Sequence, residues 1–251
     1  MCSISPGQTH PVAPERILDF LTDGEMAESH GLMPWSSNYT FLATLVCDDT
    51  PMLVVYKPSQ GERPLWDFPP GTLALREVAA FIVAQALGWD FVPPTVLRDG
   101  LFGPGAVQLF IDAHFESHYF TLRDENISLF QRVAAFDIIV NNADRKAGHC
   151  LRGKEGHIWT VDHGLTFHPE DKLRTVIWDF AGQTIPDDIL LDLHRLQDSL
   201  QQESACSLLA RLSSLLSDLE IEVFCSRLHR LVAARRFPLP GPGCNVPYPP
   251  I

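Results

Sequence analysis

Apolar positions change their period twice along the chain. Between residues 15 and 23, Ile17, Leu18, Phe20 and Leu21 recur at helical spacing and predict a short amphipathic helix. Three strand candidates follow: residues 24–33, residues 39–47, which are rich in β-formers, and residues 52–57, built on Leu53-Val54-Val55-Tyr56. Asp48-Asp49-Thr50-Pro51 supplies a turn, so the last two candidates form an antiparallel hairpin that ends at Lys57, and Pro58 stops regular pairing. Leu75, Val78, Ala79, Phe81, Ile82 and Ala86 then predict a helix over 73–87, with Gly88 as its stop. Strand character returns at Val96-Leu97 and over 106–111, separated by a turn at Arg98-Asp99-Gly100. Beyond this the pattern is helical over 128–140, 187–201, 207–215 and 219–234, broken by a short strand, turn and strand between Leu151 and Val161.

This order predicts an α+β, two-lobed fold: a small antiparallel β lobe with one main helix over 1–113, a larger α-helical lobe over 114–236, and a Pro-rich tail over 237–251. The tail cannot sustain a helix and reads as an extended segment or a frayed terminus.

Composition narrows the setting. A chain of 251 residues, 45% hydrophobic, can bury a sizeable core. Its net charge of −12 argues against nucleic acid and against passive adsorption on anionic lipid, since both need a basic face. The six cysteines have no paired or metal-like spacing and read as reduced, mostly buried small hydrophobes. No leader and no stretch long enough to cross a bilayer is evident, so the expected location is the cytoplasm.

The candidate chemistry lies in Phe136-Asp137-Ile138-Ile139-Val140-Asn141-Asn142-Ala143-Asp144-Arg145-Lys146-Ala147-Gly148-His149-Cys150 and in Val161-Asp162-His163-Gly164. Phosphoryl transfer needs one carboxylate to orient the attacking hydroxyl and another to hold Mg²⁺ on the phosphates. Asp144 suits the first role and Asp162 the second, because the intervening hairpin can fold one back beside the other; the plain alternative is a loop cap and a turn residue. Lys57 ends an apolar strand, where a charge needs a partner or a ligand, and Glu77 on the next helix can form that pair. Ser36, Ser37 and Asn38 form a turn able to cradle phosphates without a glycine-rich motif, with ordinary turn chemistry as the plain alternative. Gln108, Leu109, Phe110 and Ile111 form the link between lobes, where backbone groups can meet an adenine edge. Asp137 reads as structural, and His163, His168 and His194 as turn or surface residues.

These motifs resemble the phosphatidylinositol 3-/4-kinase superfamily, type II phosphatidylinositol 4-kinases in particular, and a small actinobacterial family related to those kinases. The resemblance runs through Tyr56-Lys57-Pro58, Arg76-Glu77-Val78-Ala79-Ala80, Val92-Pro93-Pro94-Thr95, Gln108-Leu109-Phe110, Asn142-Ala143-Asp144-Arg145 and Val161-Asp162-His163-Gly164-Leu165, collinear over about residues 31–190. It implies a kinase using ATP and Mg²⁺: Lys57 on the phosphates, Asp144 as the catalytic-loop aspartate, Lys146 steadying the γ-phosphate and Asp162 as metal ligand. Where the superfamily has a metal-binding Asn five residues after the catalytic Asp, this chain has His149, which can bind Mn²⁺, contact phosphate as a cation, or mark lost activity. The acceptor hydroxyl can belong to a lipid, a small molecule or, as in HipA-like kinases, a protein. A nucleotide-binding pseudokinase with a regulatory role and a divalent-metal hydrolase remain open alternatives.

Overall fold

The computed structural model describes residues 14–33, 38–114, 116–202 and 204–251. The chain divides into two compact units. The first comprises the described residues up to Ala74 together with Pro94–Phe110, and the second comprises Leu75–Pro93 and Ile111–Ile251.

The first unit is an antiparallel sheet with a helix on it. Strands β1 (Glu25–Leu32), β2 (Phe41–Cys47), β3 (Thr50–Pro58), β4 (Thr95–Gly100) and β5 (Gly103–Leu109) lie in the order β1-β2-β3-β5-β4. The β2–β3 hairpin closes on two residues, Asp48 and Asp49, both with positive φ (48° and 59°), a turn whose twist matches that of the flanking strands. Pairing therefore extends through Pro51, opposite Val46, at a point where β5 has not yet joined β3. Leu45, Val54, Tyr56 and Val107 bury one face against Phe20 and Leu21 of helix α1 (Pro14–Asp23).

The turn expected at Arg98-Asp99-Gly100 lies instead at Leu101-Phe102, and β4 runs straight through to Gly100. Two contacts explain the shift. The Arg98 guanidinium donates to the carbonyls of Leu21 (3.0 Å) and Gly24 (2.7 Å), tying β4 to the end of α1. Tyr56 packs so closely on Gly100 that a Cβ there would stand 2.6 Å from the ring, while its hydroxyl donates to the Gly103 carbonyl (2.5 Å).

Helix α2 spans Leu73–Leu87. Its first N–H groups are met by the Glu62 carboxylate, which accepts from Gly71 (2.7 Å), Leu73 (2.9 Å) and Ala74 (3.2 Å).

The second unit is helical: the rest of α2, then α3 (Tyr119–Leu122), α4 (Ile127–Val140), α5 (Asp187–Leu200), α6 (Leu208–Ser213) and α7 (Asp218–Ala234), with the small hairpin β6 (Cys150–Arg152) and β7 (Ile158–Thr160) between α4 and α5. Helix α4 is its centre, with Phe130, Val133, Phe136, Ile139 and Val140 all fully buried. Phe136 meets Phe91 and His163 edge-on, at 5.4 and 5.7 Å between ring centres. Helix α7 begins with a capping box, Ser217 and Glu220 bonding each other's backbone N–H. The architecture is thus mixed, an antiparallel sheet unit followed by a helical unit. Among the described residues no helix is long and apolar enough to cross a membrane.

The segment after Phe237 is ordered by its carbonyls. Asn245 C=O accepts from Thr175 N–H (3.0 Å) and Trp178 Nε1 (2.9 Å), and Pro250 C=O accepts from Ala147 N–H (2.8 Å).

Candidate active site

Helix α4 stops where Asn141 turns left-handed (φ 54°), a conformation Asn tolerates better than most residues. Its side chain then clamps the following loop: Nδ2 donates to the carbonyls of His168 (2.9 Å) and Glu170 (2.6 Å), and Oδ1 accepts from Lys172 N–H (2.9 Å).

One turn earlier, Asp137 forms a fully buried fork with Arg145, whose Nε and Nη2 donate to it at 3.0–3.2 Å. Burial works against the guanidinium charge, but Asp137 more than offsets this and holds the Arg145 pKa above its usual value. Arg145 Nη1 also donates to Val161 C=O (2.9 Å), and Asn142 bridges Asp137 Oδ1 (3.0 Å) to Asp144 N–H (3.0 Å). Residues 142–145 are therefore wrapped around a single ion pair, which fixes where Asp144 emerges.

Asp144 is largely buried, with Lys146 Nζ 3.3 Å from its Oδ2. Burial raises its pKa, Lys146 pulls it down and Asp162 pushes it up. Asp162 follows β7 in a left-handed conformation (φ 58°), with about half its side chain exposed (54%) and His149 Nε2 3.4 Å from its Oδ2. His149 Nδ1 faces Lys146 N–H at 3.4 Å, and a ring that accepts there is the tautomer carrying its proton on Nε2, toward Asp162. In that tautomer His149 offers Asp162 an N–H and presents no lone pair at Nε2 to a metal.

Two adjacent residues of α2 hold the segment after Asp162. Glu77, 3% exposed, accepts from His163 N–H (3.1 Å), and Arg76, 1% exposed, donates to Thr166 C=O (2.6 Å) and to the Glu220 carboxylate. His163 is itself fully buried, with Nε2 2.8 Å from Arg145 Nη2, and His168 is 8% exposed. Sequence reasoning set both among turn or surface residues. An Asp-His-Gly run reads as a turn, and nothing local reveals that the imidazole turns inward onto Arg145.

In the first unit, Lys57 lies near the end of β3, half-buried and in register with Ala106. Ser36 and Ser37 lie outside the described residues, and Asn38 Oδ1 accepts from Arg63 N–H (2.9 Å). Gln108 is buried, its amide donating to Thr95 Oγ1 (2.8 Å). Leu109 and Phe110 give their N–H groups to Pro94 C=O (2.9 Å) and Leu53 C=O (3.2 Å).

Among the described residues no cluster of three or more His, Cys, Asp or Glu can hold a metal ion by itself. Asp144 and Asp162 are the carboxylates of this segment that could share a cation with a phosphorylated ligand, because Mg²⁺ is commonly held by one or two carboxylates, phosphate oxygens and water.

No family model matches the chain. Protein Rv2133c of Mycobacterium tuberculosis is 37% identical over 264 aligned positions, covering 91% of this chain and 93% of that protein. Phosphatidylinositol 4-kinase gamma 4 of rice (Oryza sativa subsp. japonica) is 33% identical over 132 positions, 45% of this chain and 23% of that enzyme. Among solved structures, the Helicobacter pylori proinflammatory kinase CtkA superposes with a TM-score of 0.51 at 14% identity, covering 86% of this chain and 94% of that one. Hydra Fam20 with sugar gives 0.55 at 16%, covering 88% and 87%. At such identities the likeness is one of fold.

Proposed function

The chain belongs to the family of Mycobacterium tuberculosis protein Rv2133c, and from that premise we propose that it is an ATP-dependent phosphotransferase moving the γ-phosphate to a hydroxyl acceptor. The observation that carries the proposal is the chain of contacts from Asp144 through Lys146 and His149 to Asp162, on two segments that Arg145 ties together through Asp137 and the Val161 carbonyl. Kinase-like fold and partial kinase similarity agree with it.

In the proposed reaction Asp144 accepts the proton of the acceptor hydroxyl as its oxygen bonds to the γ-phosphorus, while the bond to the bridging oxygen breaks and ADP leaves. Lys146, 3.3 Å from Asp144, favours the ionised carboxylate against the effect of burial and steadies the transferred group. Asp162 is the proposed metal ligand; a bound Mg²⁺ or Mn²⁺ would supply neutralisation of phosphate charge. His149 holds Asp162 toward the site and becomes a ligand itself only if its proton leaves Nε2. Lys57, with Ser36, Ser37 and Asn38, is assigned to nucleotide phosphates, Glu77 to support, and Gln108, Leu109, Phe110 and Ile111 to the base.

Incubating the protein with γ-labelled ATP and a cell lysate, then separating protein, lipid and soluble fractions, tests this proposal. Label in one fraction, absent with Asp144→Asn, is expected; label in none counts against transfer. A second reading, a nucleotide-binding pseudokinase, is favoured by one observation, the imidazole of His149 standing on Asp162. Saturable ATP binding without turnover in either metal would select it.

A further inference from the structure

The helical unit holds a second concave site that none of Asp144, Lys146, His149 or Asp162 lines. Its volume is about 820 Å³, within the range of small-molecule sites. Five of its lining residues are basic, Lys172, Arg174, Arg227, Arg230 and Arg236, against one acidic, Asp171. In a chain with 19 basic residues and a net charge of −12, so many cations around one hollow make a local field opposite to that of the whole.

Arg227 gives the site its chemistry. It is 5% exposed, and two of its nitrogens are engaged: Nε donates to Ile139 C=O and Nη1 to His168 C=O, both at 3.1 Å. Its Nη2 is buried with no hydrogen-bond partner among the described residues. A buried donor without an acceptor is unfavourable, and more so on a charged group. Burial lowers the Arg227 pKa to about 10, which leaves it cationic at neutral pH. Nearby charges leave room for an anion. Arg230 touches Asp171 only at 3.7 Å, with both side chains mostly exposed, and Arg236 Nη1 rests on Gly182 C=O (2.9 Å). Lys172 Nζ lies 3.5 Å from Glu170. Leu231, Trp178, Phe237 and Leu239 supply an apolar wall, and the indole N–H of Trp178 is already given to Asn245.

We propose that this pocket binds a small organic phosphate monoester, its anionic head on Arg174 and Arg230 in the field of the buried Arg227 guanidinium, and its apolar body against Leu231 and Trp178. Phosphate suits the site better than carboxylate, since it brings up to two charges and three acceptor oxygens to guanidiniums set around one hollow. The assignment stands whether or not the protein transfers phosphate. The pocket nevertheless abuts the Asp144 loop, as Arg174 N–H donates to Asn142 C=O and its C=O accepts from Arg145 N–H, each at 2.9 Å.

Calorimetric titration of the full chain with hexyl phosphate tests the site, with hexanoate and inorganic phosphate as comparators. The expected result is saturable 1:1 binding of hexyl phosphate, about tenfold tighter than either comparator. Arg174→Gln/Arg230→Gln, which alters the less buried cations and should fold normally by circular dichroism, is expected to weaken binding at least about tenfold, as is Arg227→Gln. Absence of saturable binding, equal binding of hexanoate, or an affinity unchanged in the double variant would overturn the proposal.

Discussion

Asp144 is tuned by two neighbours of opposite effect. Burial raises its pKa, Lys146 lowers it and Asp162 raises it, so the acid limb of any activity that needs its ionised form should respond to both. Asp162→Asn removes repulsion and should move that limb to lower pH. Lys146→Met removes attraction and should move it to higher pH. Initial rates from pH 4 to 9 for the wild type and both variants read these shifts; limbs that coincide would take Asp144 out of the base role. The Asp137–Arg145 fork makes a structural prediction. Asp137→Ala leaves a buried guanidinium without its counter-charge, and urea unfolding should show a loss of about 3–5 kcal/mol. A loss below about 1 kcal/mol would mean the fork does not organise the loop.

At the scale of elements, features carried by side-chain period were legible and features carried by backbone groups were not. The run Leu53-Val54-Val55-Tyr56 predicts β3 because alternate residues bury, and Leu75 to Ala86 predicts α2 because its apolar faces recur at helical spacing. The end of β4 departs from the local pattern because Arg98 reaches two carbonyls of a distant helix end, contacts that leave no mark in that pattern. The Pro-rich tail lacks any period, yet it docks through the carbonyls of Asn245 and Pro250. Its contact with Ala147, three residues after Asp144, gives the tail a testable role. Deleting residues 238–251 should speed hydrogen exchange at Ala147 and Thr175 while leaving Phe224 and Leu228, at the centre of α7, unchanged. Unchanged exchange at Ala147 would show that the tail does not support the loop.

For the molecule as a whole, the sequence reveals which residues carry charge in polar loops, and the fold decides which of them meet. Asp144, Lys146, His149 and Asp162 stand out because charged residues cluster after an apolar helix, and their mutual distances follow from a short hairpin. The cationic hollow is hidden, since its arginines come from α7, from the loop clamped by Asn141 and from Arg236 just ahead of the tail. A net charge of −12 describes the average surface and is silent on such local concentration. The central claim remains that Asp144 and Asp162 act together on a nucleotide, and it is tested most directly by ATP turnover of purified protein with Mg²⁺ or Mn²⁺. Turnover in the wild type that falls at least about a hundredfold in both Asp144→Asn and Asp162→Asn is the expected result. Turnover that survives both substitutions, or is absent in the wild type with either metal, would contradict it.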